Sequence, residues 1–208
     1  AVCDGATCID AFDNNRIQLY VARLKIAAVK VLTAEKNIDF FSSFNYEEFF
    51  LFRTYEMLRD YLSDEDRFFW DSLYKTGIFS SNINNLIIPE WLINHSDSFY
   101  TDVENYYNVR KKLDKVTINF YHSTLHEILD LVSGQKYDAI FLSNVYDYLN
   151  QSQKESFYKF ISEFNKSLTS IGLMAVYTSP YSSIYEKCYY TGQEKFENRK
   201  IYIYKGNN

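Results

Sequence analysis

The sequence contains few residues that break a chain, cross-link it or insert it into a membrane. Only 2 prolines and 6 glycines occur among 208 residues, and no repeat, low-complexity tract or linker is present. The 3 cysteines, Cys3, Cys8 and Cys188, make neither an even disulfide set nor a metal-ligand spacing, so we interpret each as a small buried hydrophobe. No apolar run reaches the roughly 18 residues of a membrane span, and the start shows no export signal. These absences predict a cytoplasmic protein with no transmembrane segment and no metal site.

Clustered positive charge is also scarce. The chain has 22 Lys and Arg against 27 Asp and Glu, which gives a net charge of −5 and a pI near 5.3. This balance argues against broad, salt-dependent binding to nucleic acid. The only basic run is Arg110-Lys111-Lys112, which we interpret as the cationic last turn of a helix. We therefore expect no nucleic-acid partner.

Aromatic residues, by contrast, are abundant. The chain has 20 tyrosines and 17 phenylalanines, which raise its aromatic content to 19% within an otherwise ordinary globular composition. Many of these rings fall in 40–107, where they could cover a lipid-like or aromatic acceptor as a lid or pack against one another at the sheet edge. Aromatic residues at helical spacing more often form core, so self-packing is the favoured interpretation.

The first half of the chain predicts one strand followed by helices. A buried strand ends at Asp13, and apolar residues at near-helical spacing follow it, with Asn14 or Asn15 able to cap the first amides. The pattern from about 37 to 113 is helical, with no convincing strand. We interpret this middle region as a helical insertion.

Strands and helices alternate in the second half. Thr124 begins a capping box, while Ser152 is expected to open the next helix and Gly172 to stop it. The strands are predicted at 116–121, 137–143 and 173–178, with a last hairpin around 201–205. Strands that alternate with crossover helices predict a Rossmann-like α/β fold with a mostly parallel, three-layer sheet. We expect a single domain over 1–208, with the insertion at about 37–113.

Ligands of such a sheet bind outside the carboxyl ends of the strands. This rule singles out 13–15, 122–124 and 143–148. A carboxylate such as Asp13 can accept hydrogen bonds from two ribose hydroxyls, but Asp is also a common helix N-cap, and the local sequence leaves both roles open. The glycine-rich turn that holds the rest of such a cofactor normally lies about 20 residues earlier. We expect this turn and the first strand to precede residue 1, or the fold to have lost the cofactor.

Three segments match one set of family motifs in the correct order. The run FDNNRIQLYVARLKIAAVKVL spans 12–32, FFWDSLY lies within the insertion, and YDAIFLSNVYDYL spans 137–149. The matching positions of the first run are Asp13, Asn15, Gln18, Leu24, Lys25, Ala27 and Ala28. Together the segments resemble a family related to the S-adenosylmethionine-dependent 3-amino-3-carboxypropyl transferases that begin betaine-lipid synthesis. The resemblance implies a class I methyltransferase-like fold that uses this sulfonium cofactor.

The resemblance also implies roles for single residues. Asp13, Asn15, Ser143 and Asn144 would bind S-adenosylmethionine, with Asp13 on the ribose. Ser143, Asn144 and Asp147 would face the transferred group and the acceptor. The expected reaction is transfer of a methyl or 3-amino-3-carboxypropyl group to a small-molecule or lipid acceptor. Peripheral contact with a membrane is compatible with a lipid acceptor. Because transfer from a sulfonium is an in-line displacement, positioning supplies most of what the protein contributes.

Two residues are candidates for the base that a hydroxyl acceptor would need. Asp147 is the first choice and His122 the second, and a solvated loop residue is the competing interpretation of Asp147. Two other functions stay open. One is a non-catalytic methyltransferase-like remnant or interaction module. The other is a nicotinamide-dependent oxidoreductase, because an acid after the second strand serves that cofactor equally well.

Overall fold

The computed structural model describes residues 2, 5–41, 52–77, 102–143, 145–178, 190–196 and 199–205. The elements of the first half are β1 (Cys8–Asp13), α1 (Arg16–Val31), α2 (Ala34–Phe41), α3 (Phe52–Arg59), α4 (Asp64–Thr76), α5 (Val103–Leu113) and β2 (Thr117–His122). Those of the second half are α6 (Leu125–Leu131), β3 (Tyr137–Ser143), a short 3-10 helix (Val145–Tyr148), α7 (Gln151–Lys166), β4 (Leu168–Thr178), β5 (Tyr190–Phe196) and β6 (Arg199–Lys205). The chain divides into two compact units, Ala1–His122 and Ser123–Asn208.

The first unit combines a parallel strand pair with a helical core. β1 and β2 pair in parallel, from Cys8 opposite Thr117 to Asp13 opposite His122. α1 turns a continuous apolar face toward α2, α3 and α4, and each large apolar side chain buried there contributes about 1.5–3 kcal/mol. The residues of this core that are 0% exposed are Leu24, Ala28, Phe40, Tyr55, Leu58 and Trp70.

A polar contact ties α4 to α1 inside this core. The carboxylate of Asp66 is 1% exposed and accepts hydrogen bonds from Arg23 Nε at 2.6 Å and from Ser63 Oγ at 2.5 Å. The Arg23 guanidinium lies 5.1 Å from the ring centroid of Tyr20 and 5.2 Å from that of Phe120. Arg23 of α1 thus contacts both α4, through Asp66, and β2, through Phe120.

The basic run lies in the last turn of α5, as predicted. Arg110 donates to the carbonyl oxygens of Leu32 and Val31, and the buried hydroxyl of Tyr106 donates to Leu32 O at 3.1 Å. These donors satisfy carbonyls at the end of α1 that have no partner within the helix. At least part of the basic run therefore serves the packing of two helices.

The second unit is a four-stranded mixed sheet in the order β3-β4-β6-β5. β3 and β4 are parallel, whereas β6 pairs antiparallel with both β4 and β5, so the predicted final hairpin is present. The predicted capping box at Thr124 is also present. α7 begins two residues earlier than expected, because the cap is Asn150, in a reciprocal pair with Gln153, rather than Ser152. Its buried face is formed by Phe157, Phe160, Ile161 and Phe164.

Gly172 does not stop a helix, which corrects the sequence interpretation. α7 ends at Lys166, and Gly172 lies within β4, which begins at Leu168. A Cβ at position 172 would lie 2.8 Å from the carbonyl oxygen of Tyr137 and 3.0 Å from the backbone nitrogen of Thr169. Glycine is required here by the close approach of neighbouring backbone.

Gly172→Ala should therefore lower the free energy of unfolding by about 1–3 kcal/mol, because backbone must shift to admit the methyl group. Chemical denaturation of the two proteins measures the difference. Ser170→Ala is the matched control, since Ser170 is an exposed residue of the same strand, and a change within about 0.5 kcal/mol is expected there. Equal losses in the two variants would contradict the steric explanation.

The α/β, Rossmann-like class predicted from the sequence is confirmed. Two parallel pairs, β1 with β2 and β3 with β4, are each connected through helices, and the described part of 37–113 is helical. That 1–208 forms a single domain stays a prediction. Within the described ranges, no helix is both long and apolar enough to span a membrane.

The interpretation of the cysteines as buried hydrophobes is wrong for Cys8. This residue is exposed at the start of β1, and its sulfur lies 3.8 Å from Asn119 Nδ2. The first residue of a strand is less covered by neighbouring elements than a residue at its centre. For Cys8 this position has a larger effect on exposure than the apolar character of the thiol. Cys3 and Cys188 lie outside the described residues.

Candidate functional site

Asp13 ends β1 at the carboxyl edge of the parallel pair, directly opposite His122 on β2. Its side chain is half-buried, and Oδ1 accepts a hydrogen bond from the backbone N–H of Asn15 at 2.7 Å. The side chain of Asn15 in turn accepts from Ile17 N at 3.0 Å, which makes Asn15 the N-cap of α1. Asn15, and not Asp13, is therefore the N-cap of α1. Ribose binding is the other role that the sequence left open for Asp13. Within the described chain, Asp13 Oδ2 accepts no hydrogen bond.

His122 connects the end of β2 to the loop after β1. Its Nε2 lies 3.2 Å from the carbonyl oxygen of Asn14. A carbonyl oxygen only accepts, so this contact is a hydrogen bond when Nε2 carries a proton, and in the neutral ring Nδ1 is then the nitrogen able to accept one. The imidazole is exposed and holds the loop 13–15 beside β2. Sequence reasoning missed this contact, because it depends on the register between two distant strands.

A second carboxylate lies on the opposite face of the same strand pair, since side chains alternate along a strand. Asp10 Oδ1 accepts from Asn119 Nδ2 at 2.7 Å and lies 3.5 Å from the hydroxyl oxygen of Tyr121. An acid inside the otherwise apolar run CIDAFD was the available signal. These contacts hold β1 and β2 in register, so we interpret Asp10 as structural.

The candidate residues of the second unit follow the carboxyl end of β3. Ser143 is its exposed last residue and pairs in register with Tyr177 of β4. Asp147 is half-buried within the 3-10 helix, next to Tyr146, whose ring is buried against Phe157 with centroids 5.1 Å apart. Asn144 lies outside the described residues. The roles of Ser143, Asn144 and Asp147 stay predictions.

In the first unit, the structure therefore brings together Asp13, Asn15 and His122. The Asp13 carboxylate accepts a backbone N–H with Oδ1 and has Oδ2 open. The His122 imidazole contacts the loop that carries Asp13. Such a carboxylate can receive hydroxyl groups of a ligand with charge-assisted hydrogen bonds. Among the described residues, no group of three or more His, Cys, Asp or Glu could hold a metal ion.

Comparison with known proteins gives fold neighbours but no family. No family model matches the chain, and no curated protein matches it in sequence. Two structures of the rRNA methyltransferase AviRa from Streptomyces viridochromogenes, at 2.4 Å and 1.5 Å, are similar to it, with TM-scores of 0.45 and 0.44 and 10% sequence identity. The similarity covers 96% and 98% of this chain but only 66% and 78% of the two neighbours. A likeness of this strength identifies neither an activity nor a substrate.

The prediction from the sequence that a nucleic-acid partner is excluded was wrong. Both neighbours are described as rRNA methyltransferases, and rRNA is a nucleic acid. The physical error was to argue from the net charge of −5, since net charge averages over the whole surface whereas phosphate contacts need only local donors. The exclusion is withdrawn.

Proposed function

We propose that the carboxyl end of β1 binds the ribose of S-adenosylmethionine, and that the chain is part of a transferase for a methyl or 3-amino-3-carboxypropyl group. The position and the hydrogen bonding of Asp13 are the main support for this proposal. Its carboxylate ends a parallel strand, where ligands of this fold class bind, and Asn15 performs the helix capping that would otherwise explain an acid there.

The residues of the loop suit a ribose. Asp13 Oδ2 is an open charged acceptor for a hydroxyl, and Oδ1 can accept a second hydroxyl beside the Asn15 N–H, because a carboxylate oxygen has more than one lone-pair site. The side chain of Asn15 is engaged with Ile17 N, so its proposed contribution is to orient Asp13 rather than to contact the ligand. When bound, the cofactor supplies an electrophilic carbon next to its sulfonium.

His122 has a positioning role in this proposal. Its contact with Asn14 O keeps the loop against β2, and Asp13 therefore stays at the mouth of the site. A proton-transfer role for His122 would use Nδ1. Asp147 remains the other candidate for the base, on the basis of the family resemblance.

A dinucleotide is the competing ligand, because an acid after a parallel strand also binds the ribose of nicotinamide cofactors. Calorimetric titration of the full-length protein with S-adenosylmethionine, S-adenosylhomocysteine and NAD separates the two. We expect saturable heat with the first two compounds and none with NAD. Binding of NAD alone would instead assign an oxidoreductase, and absence of heat with the sulfonium compound would end the transferase proposal.

A further inference from the structure

An open cleft of about 730 Å³ lies between α3 and α4. Its lining is Phe52, Glu56, Arg59, Asp60, Asp71, Tyr74 and Lys75. The volume is within the range of small-molecule sites. None of the residues proposed to bind S-adenosylmethionine lines this cleft.

One wall of the cleft is aromatic. The rings of Phe52 and Tyr74 meet edge to face with centroids 6.0 Å apart, and Tyr74 stacks on Tyr55 at 4.5 Å and 13°. Tyr55 is fully buried, whereas Phe52 is 49% exposed. Burial raises the pKa of Tyr74, so its ring stays a neutral phenol at ordinary pH. Neutral aromatic faces attract cations through their quadrupole.

One acid and one base of the cleft neutralise each other. Arg59 donates from Nη2 to Asp71 Oδ2 at 2.7 Å and from Nε to Asp71 Oδ1 at 3.0 Å, and the Tyr55 hydroxyl donates to the same Oδ1 at 2.6 Å. The hydrogen bond from Arg59 holds the pKa of Asp71 below its usual value, so the carboxylate stays charged. This pair joins the two helices and leaves little charge for a ligand.

The remaining charge of the cleft is predominantly negative. Glu56 and Asp60 are exposed carboxylates, and Lys75 is the remaining cation of the lining. Glu56 lies one helical turn after Phe52, on the same side of α3 as the ring. In the described part of the chain, Glu56 makes no hydrogen bond or ion pair.

We propose that this cleft binds an organic cation of the methylated ammonium class, with its methyl groups against Phe52 and Tyr74 and its charge facing Glu56. The aromatic wall selects a bulky, weakly hydrated cation over a small metal ion, because a ring cannot replace the water of a strongly hydrated ion. The two open carboxylates, Glu56 and Asp60, select against anions.

Choline chloride is the probe, and 3,3-dimethyl-1-butanol, which has the same shape without the charge, is the matched ligand control. Ring resonances of phenylalanine and tyrosine are followed by NMR during titration at constant ionic strength. We expect choline to bind in the millimolar range, and the uncharged alcohol to bind at least about fivefold more weakly, given the usual strength of a cation on an aromatic face.

Four variants test the assignment of residues. Glu56→Gln and Phe52→Leu should each weaken choline binding about fivefold or more, and Lys75→Gln should strengthen it, because a repelling cation is removed. Glu104→Gln, which removes an exposed carboxylate from α5, should have no effect. Far-UV circular dichroism checks that each variant is folded.

Three results would overturn the proposal: no binding of choline at tens of millimolar, equal binding of the uncharged alcohol, or unchanged affinity in Glu56→Gln. None of them bears on the cofactor titration, which concerns Asp13.

Discussion

Asp66→Ala is expected to lower the free energy of unfolding by about 3 kcal/mol, the loss usually seen when one partner of a buried charge pair is removed. The Asp66 side chain is 1% exposed and that of Arg23 is 22% exposed. Removing the carboxylate leaves a partly buried guanidinium without its acceptor, and Ser63 Oγ also loses a partner. The partial exposure of Arg23 keeps the expected loss at the lower end of the range for buried pairs.

Asp64→Ala is the matched control for this prediction. Asp64 lies in the same first turn of α4, but its side chain is 95% exposed and its ion pair with Arg67 is at the surface. The expected change is within about 1 kcal/mol, as for other exposed ion pairs. Chemical denaturation measures both variants. A loss in Asp66→Ala no larger than that in Asp64→Ala would show that the Arg23 contact adds nothing to stability.

A double-variant cycle separates the pair from its surroundings. If Arg23 and Asp66 stabilise the fold through one another, Arg23→Met combined with Asp66→Ala should cost less than the sum of the two single losses. Additive losses would instead assign the effect of Asp66 to the first turn of α4, where Asp66 Oδ2 accepts a hydrogen bond from Ser63 Oγ at 2.5 Å.

Asp13→Ala is expected to weaken binding of S-adenosylmethionine by about 1.5–3 kcal/mol, which is the usual value of hydrogen bonds to a charged group. This corresponds to a rise in Kd of about 10- to 150-fold. The fold should survive, because the lost contact is one hydrogen bond that Asp13 accepts from the Asn15 N–H at a partly exposed loop. Calorimetry gives the affinity, and chemical denaturation gives the stability of the same samples.

The control for this prediction is Asp39→Ala, which removes an exposed carboxylate from α2 and should leave the affinity unchanged. Asp13→Asn should fall between the wild type and Asp13→Ala, since it keeps one acceptor but loses the charge. If Asp13→Ala unfolds the protein, Asp13 is a structural residue, and the ribose-binding role is then wrong.

Elements governed by neighbouring residues could be predicted from the sequence. β3 occupies 137–143 as expected, since its apolar run is bounded by turn residues on one side and polar residues on the other. The capping box at Thr124 and the cationic end of α5 also follow from residues within one turn of each other. These features depend on interactions that form inside a single element.

Features set by distant contacts were predicted wrongly or missed. Gly172 resembles a helix stop, but its position is explained by the carbonyl of Tyr137 on a neighbouring strand. The contact between His122 and Asn14 O depends on how two strands pair in register. The α3–α4 cleft likewise exists only because two helices place their ring and carboxylate side chains together.

The sequence by itself determined the α/β class, most helices and strands, and the placement of an acid at the end of a strand, because hydrophobic period and capping are local properties of the chain. Tertiary structure alone decided which residue caps α1 and which side chains meet at the carboxyl edge. It also decided the structural roles of Asp66, which pairs with Arg23, and of Gly172, which admits a close backbone approach. Those outcomes rest on register and on burial, and both arise from contacts between residues far apart in the chain.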